Sequence, residues 1–292
     1  MFEQMSRFVT RFRDLEQREF VQTYEEERRW NELKEKLSTT QLDEPQQPYS
    51  RRCIAVTSLY SQAGSSFVAA NAACTLASRG TPVTLCELPG TPSYFYFALD
   101  YERRVNQQAG FSTTPQLLLQ DRLLRIQIDP PLHEKQHFQL DIADWLLRAS
   151  KDSPFVIIDV SSRWNEAGAQ RIFELADEIW IVFDTDLARL TRLFLMEKPP
   201  QWWFLQKQKR RLIANKWNHL LTRSQTKKRV EGTLSLWEEN DSTAVHIDAA
   251  LPLLDPEKIA LAHVKANLLA ELFPEETEHF QRLVHSCKGR VL

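Results

Sequence analysis

Residues 54–88 read IAVTSLYSQAGSSFVAANAACTLASRGTPVTLCEL. The stretch opens on Ile54–Ser58, a short apolar and β-branched run of the kind that forms a strand buried on both faces. A loop follows. Residues 66–80, SFVAANAACTLASRG, then begin with hydroxyl and small residues, continue rich in alanine and stop at Gly80, as a helix does. Residues 82–88, PVTLCEL, return to the strand pattern. Strand, loop, helix and strand in this order place helix-start amides where a phosphate docks.

The same alternation extends through the chain. PFVIIDVSS (154–162), EIWIVFDT (178–185) and RLIANKW (211–217) are short, nearly continuous apolar runs separated by helical or loop segments. Such strands predict an α/β domain, a doubly wound and mainly parallel sheet covered on both faces. The 292 residues suit one large domain or one domain with an appendage. Residues 1–38 carry stripes at helical spacing, Met5, Phe8, Phe12 and Leu15, then Trp30, Leu33 and Leu37, and read as one charged helix. Residues 39–50 read as a polar, proline-containing linker, and 51–292 as the α/β domain.

Composition narrows the function. Hydrophobic residues are 42% and charged residues 26%, as in a globular protein, and the net charge of −2 excludes a globally basic nucleic-acid coat. No apolar run approaches the ~18–20 residues that span a bilayer. The first twenty residues carry Glu3, Asp14, Glu16 and Glu19 without an unbroken apolar core, unlike a secretory signal. Cys53, Cys74, Cys86 and Cys287 form no C-x-x-C pair, and three of them lie in apolar segments, which suits a reducing cytoplasm. Glycine is scarce, 7 in the whole chain, which bears directly on any phosphate-binding loop.

In detail, residues 54–88 resemble the deviant phosphate loop of the MinD/ParA family of P-loop ATPases. The family pattern K-G-G-x-G-K-[ST] follows a strand ending V-x-S and precedes a helix rich in AAN and LA. Here the strand ends Val56-Thr57-Ser58, and the helix carries Ala69-Ala70-Asn71, Leu76-Ala77 and Gly80. The loop aligns without a gap. Tyr60 falls at the signature lysine, Ser61 and Gln62 at two glycines, Gly64 at the third, Ser65 at the second lysine and Ser66 at the magnesium-binding Ser/Thr. Later landmarks follow in order. Glu87 and Pro89 stand at the two acids of D-x-D, and Asp159 at the end of a Walker B-like strand. Ala176-Asp177 precedes the next strand, Asn215-Lys216 matches the strand whose Asn reads adenine, and Leu251-Pro252 matches the I-P ending. The resemblance spans roughly residues 52–275.

The resemblance thus implies a MinD/ParA-like fold with a degenerate loop: both lysines, two of three glycines and the second acid are replaced. Each charge-assisted contact to phosphate contributes ~1.5–3 kcal/mol. Losing two removes roughly 3–6 kcal/mol, about two to four decades in affinity. The expectation is a pseudo-ATPase with no catalytic residue. It has a vestigial nucleotide pocket of Gly64, Ser65, Ser66, Asp159 and Asn215, and no resident cofactor or metal, with weak ATP and magnesium binding left open. Tyr60 and Phe67 are expected to fill the emptied pocket. If nucleotide is bound tightly, Lys216 or the basic cluster at 207–211 would have to replace the missing lysines.

Other signals carry less. His133-Glu134-Lys135-Gln136-His137 matches H-E-x-x-H, but Asp129-Pro130-Pro131 precedes it, so it reads as an exposed polar turn or helix start. Residues 198–229 hold ten Lys/Arg and no Asp/Glu, with Trp202, Trp203, Phe204 and Trp217 interleaved. A solvated basic face, a protein partner, and DNA or membrane all fit that pattern. The C-terminal stretch reads as a helix broken near Pro274, then a second helix.

Among relatives with decayed loops the chain is most similar to the TadZ/CpaE type, which places a pilus secretion apparatus. That resemblance implies a localisation or scaffold factor for a bacterial membrane-associated secretion or pilus-type machine. It would be cytoplasmic and recruited to the inner face of the membrane by protein partners, through residues 1–38, with a homodimer left open and no membrane insertion of its own. The alternatives are an ATP-dependent ParA-like switch binding DNA through 198–229, and an accessory subunit of a polysaccharide or flagellar system.

Overall fold

The computed structural model describes residues 28, 51–90, 93–106, 115–129, 141–151, 153–218, 223–238 and 245–288. The readings of a helix over 1–38, a linker over 39–50 and a turn at 133–137 lie outside the described residues. All elements below belong to the unit Ser50–Leu292.

The first half of the domain runs β1 (Arg52–Ser58), α1 (Ser65–Ser78), β2 (Val83–Glu87), α2 (Tyr94–Ala98), α3 (Tyr101–Asn106), β3 (Gln116–Leu119) and β4 (Leu124–Gln127). Then come α4 (Ile142–Ala149), β5 (Phe155–Ser161), α5 (Ala167–Leu175), β6 (Glu178–Phe183) and α6 (Leu187–Met196). The rest is α7 (Gln201–Leu205), a short 3-10 turn at Lys207–Lys209, β7 (Arg210–Trp217), α8 (Arg223–Leu234) and a second 3-10 turn at Ser235–Trp237. β8 (Ala249–Pro252), α9 (Pro256–Val264), α10 (Leu269–Leu272), a third 3-10 turn at Pro274–Glu276 and α11 (Thr277–Lys288) complete the domain.

The strands form one 8-stranded sheet in the order β3-β4-β2-β5-β1-β6-β7-β8. Every neighbouring pair is parallel except β3 with β4. The five apolar runs become β1, β2, β5, β6 and β7, and form the consecutive centre of the sheet. Their continuity has a simple cause, because both faces are covered. One core layer joins β1, β2 and β5 to α1, α10 and α11 through residues such as Ile54, Leu85, Leu76 and Phe280. The other joins the same sheet to α5, α6, α7 and α8 through Ile158, Phe173, Phe194, Trp203 and Val230.

The alanines of α1 explain its depth. Residues 68–77 are all buried, which only small side chains allow for a helix packed between a sheet and other helices. Within it, the buried Asn71 amide donates to Phe67 O at 2.8 Å and its Oδ1 accepts from Ala270 N at 2.9 Å. Asn71 thereby supplies a partner to a first-turn amide of α10. Side-chain N-caps start four other helices: Ser93 for α2, Asp141 for α4, Asp186 for α6 and Asp255, followed by Pro256, for α9. Cys53, Cys74 and Cys86 are buried, and burial pushes the thiols of Cys53 and Cys74 up to about 12, so they act as neutral core residues. The fold class is therefore the one expected, with a β3–β4 hairpin and β8 added at the sheet edges.

Candidate functional site

Parallel strands bring their carboxyl ends to one edge, and β1, with β5 and β6 as its neighbours, opens there into the loop that leads to α1. Gln62 and Gly64 turn the loop with φ of 69° and 96°. A Cβ on Gly64 would also run into the Asn215 amide nitrogen, so glycine is required at 64 on both conformational and steric grounds. No side chain caps the start of α1, which leaves first-turn N–H groups to the loop side.

The loop is held by side chains at five consecutive residues, each from elsewhere in the chain. Trp164 Nε1 donates to Leu59 O at 3.1 Å. The Tyr60 hydroxyl donates to Asp184 Oδ1 at 3.0 Å and accepts from Asp184 N at 3.1 Å. Arg189 Nη1 donates to Ser61 O at 3.0 Å, and its guanidinium lies 5.5 Å from the centre of the Tyr60 ring. Lys216 Nζ donates to Gln62 O at 2.7 Å and lies 3.5 Å from Asp184. Asn215 Nδ2 donates to Ala63 O at 2.9 Å. Burial pushes the Tyr60 hydroxyl well above its ordinary value, with the Asp184 charge adding to the shift, so it stays a neutral donor.

Beyond the loop, Ser66 Oγ lies 3.1 Å from Ser161 Oγ. Asp159 accepts from Ser161 N at 2.8 Å and from Ser161 Oγ at 3.2 Å. Burial raises the Asp159 carboxyl above the usual carboxylate range, against the hydrogen bonds from Ser66 and Ser161. Glu87 is the register partner of Asp159 on β2. It accepts from the Ser93 hydroxyl, from Tyr94 N at 2.8 Å and from Phe95 N at 3.4 Å, so it anchors the start of α2. Burial, with the Asp159 charge adding, pushes Glu87 up to about 7. Arg163 holds the adjacent turn, donating to Leu88 O at 2.9 Å and Pro89 O at 3.3 Å.

The structure gathers all five pocket residues expected from sequence at this edge. Gly64 and Asn215 touch, Ser66 and Asp159 share Ser161, and Ser65 Oγ lies 3.3 Å from Ser58 Oγ. Of the two basic groups named as substitutes for the lost lysines, Lys216 is at the loop. The 207–211 cluster is not, because it precedes and begins β7 at the opposite edge, where Lys207 and Arg210 pair with Glu238. Phe67 corrects another expectation: its ring packs 6.0 Å from Phe280, against the helical layer. Trp202, Trp203 and Trp217 are core residues, so among the described residues of 198–229 the tryptophans offer no stacking surface. Trp164, Asp184, Arg189 and Ser161 were not foreseen; Asp184 alone carries a signal, as the acid directly after β6. Among the described residues, no group of three or more His, Cys, Asp or Glu is arranged to hold a metal.

No protein-family model matches the chain, and no curated protein matches it. Solved structures do. A ParA family ATPase from Chlorobium tepidum TLS superposes with a TM-score of 0.55 at 15% identity, over 82% of this chain and 100% of that one. A chain of the MinC:MinD cell division protein complex of Aquifex aeolicus gives 0.57 at 16%, over 82% and 97%. The septum site-determining protein MinD complexed with Mg-ADP from Pyrococcus horikoshii OT3 gives 0.56 at 16%, over 82% and 96%. The fold is thus MinD/ParA-like, as the order of motifs implied.

Proposed function

We propose that this chain is a pseudo-ATPase of MinD/ParA-like fold that works by binding, as a localisation or scaffold factor for a bacterial membrane-associated secretion or pilus-type machine. The observation that carries the reading is the loop held at Leu59, Tyr60, Ser61, Gln62 and Ala63 by Trp164, Asp184, Arg189, Lys216 and Asn215. A phosphate loop at work cradles the β- and γ-phosphates with its backbone and a lysine. Here that lysine's position is Ser65, whose hydroxyl lies 3.3 Å from Ser58 Oγ; the signature-lysine position is Tyr60, tied to Asp184; and the ammonium at the loop, Lys216, is committed to Gln62 O and Asp184. The adenine-reading asparagine of the resemblance spends its amide on Ala63 O. These residues fit a self-supported loop better than a tightly held triphosphate, and no reaction step is assigned to them.

A binding role also suits the company of the fold: one similar structure is a MinC:MinD complex, and another is a putative plasmid partition protein from Borrelia burgdorferi B31 bound to AMPPNP. Partner contacts are assigned to residues 1–38 and to a homodimer. Among the described residues no helix is long and apolar enough to cross a membrane, so placement there rests on surface contacts. A fluorescent fusion in the organism that encodes the chain tests the reading. Discrete foci at the cell envelope that persist in Ser66→Ala and after ATP depletion are expected. A nucleoid-coincident distribution that collapses without ATP would overturn it in favour of a DNA-binding switch.

A further inference from the structure

The amino edge of the sheet, opposite the loop, collects exposed aliphatic side chains. α6 starts at the carboxyl end of β6 and runs back, so its last residues, Leu195 and Met196, reach that edge. α7 and the turn at Lys207–Lys209 lead directly into the amino end of β7, which places Leu205 there. α8 returns from the carboxyl end of β7 and delivers Leu236 in the turn that follows. Specific contacts join these ends. Trp237 Nε1 donates to Glu197 O at 3.2 Å, the Trp237 and Trp203 rings lie 5.2 Å apart, and Lys207 pairs with Glu238 at 2.8 Å. The two tryptophans are buried, yet Leu195 is 65% exposed, Met196 77%, Leu205 75% and Leu236 52%.

The charges around this patch are of both signs. Lys207 and Arg210 are paired with Glu238, and Lys209 Nζ donates to Glu174 O at 2.8 Å. Glu174, Asp177, Glu197 and Lys198 are exposed. A rim that sets acids among its bases favours no polyanion. Glu197 and Lys198 are consecutive and directly follow Met196, and among the described residues neither side chain has an ion-pair partner. Their backbone is stiff: Glu197 is extended at φ −97° and ψ 150°, and Pro199 and Pro200 follow, Pro200 with φ −70°.

We infer that this edge is a face on which a second copy of the chain docks about a two-fold axis. In such a contact one patch meets itself, so a residue that touches another across the axis is touched by it in return. The patch must therefore complement itself, with an apolar centre and a rim of both signs. Leu195, Met196, Leu205 and Leu236 supply the centre. Glu197 and Lys198 supply the rim: Glu197 of one copy pairs with Lys198 of the other, and the reverse. A proline-stiffened segment loses little freedom on docking. The face is remote from the loop, so association through it needs no nucleotide. The inference rests on the proposed homodimer and gives it a surface.

Sedimentation velocity of the full chain without nucleotide, over a series of concentrations, tests it. The wild type is expected to pass from monomer to dimer. Met196→Asp with Leu205→Asp is expected to weaken association about a hundredfold or more. Glu197→Lys and Lys198→Glu, each alone, set like charges against each other twice, and each is expected to weaken association about tenfold to a hundredfold. The two single variants mixed are expected to form a heterodimer about as tight as the wild type, because every rim pair then joins opposite charges. Damage to the fold by either substitution gives no such rescue. Circular dichroism checks that each variant keeps its fold, and these exposed positions leave the core untouched. A chain that stays monomeric at every concentration overturns the homodimer together with this surface. A dimer indifferent to the substitutions, or a mixture whose components stay apart, overturns this surface alone and leaves the reading of the loop standing.

Discussion

Glu87→Gln turns the electrostatics of the site into a stability measurement. Glu87 is largely buried opposite Asp159, and its carboxyl is pushed from 4.5 up to about 7. The folded protein therefore keeps a proton that the unfolded chain releases, so the contribution is fully present below pH 4.5 and is lost as pH rises through 7. A shift of that size corresponds to about 3 kcal/mol of stability lost by pH 8. Glutamine keeps one acceptor oxygen, enough for the Tyr94 amide but not also for the Ser93 hydroxyl, which bonds the other carboxylate oxygen, and it removes the titration. Asp159 is shifted in the same direction and its charge is coupled to that of Glu87, so the difference between the two proteins reports the pair. Urea unfolding from pH 5 to pH 8 is expected to show the wild type losing stability relative to Glu87→Gln, so that the difference between them moves by about 3 kcal/mol in the variant's favour. For a domain of this size that is about 6–12 °C in Tm. Parallel pH profiles would refute the reasoning.

Three further outcomes are expected. Gly64→Ala places a Cβ at positive φ against the Asn215 amide and should cost about 2–4 kcal/mol, read from the chemical denaturation midpoint. Asn71→Ala leaves the Ala270 amide without its buried partner and should cost about 1–3 kcal/mol, with faster hydrogen exchange at the start of α10. Tyr60→Phe removes both bonds to Asp184 and should cost about 1–2 kcal/mol in thermal unfolding, while calorimetry shows no nucleotide binding in either protein.

The centre of the sheet was legible because continuous apolar runs leave a buried parallel strand as the natural reading. The β3–β4 hairpin was not. Its strands have four residues each, and its turn places Gln120, Asp121 and Arg122 in succession at positive φ without a glycine or Asn-Gly to announce it. The convergence of Gly64, Ser65, Ser66, Asp159 and Asn215 could be read from motif order, since each follows or ends a central strand. The ties on the loop could not, because Trp164, Asp184, Arg189 and Lys216 reach it from more than a hundred residues away, and only the strand order brings them close. Nor does composition tell which way an aromatic ring points: Trp202 and Trp203 sit in a basic segment yet are buried, while Leu205 beside them is exposed.

A self-supported loop makes a direct claim about nucleotide. Purified full-length protein is titrated with a fluorescent ATP analogue, with and without magnesium, and phosphate release is then followed on the same sample. The account predicts no saturable binding up to millimolar nucleotide and no release above the buffer rate. Tight magnesium-dependent binding with turnover would contradict it, and would mean that Lys216 leaves Gln62 and Asp184 to take the place of the missing lysines.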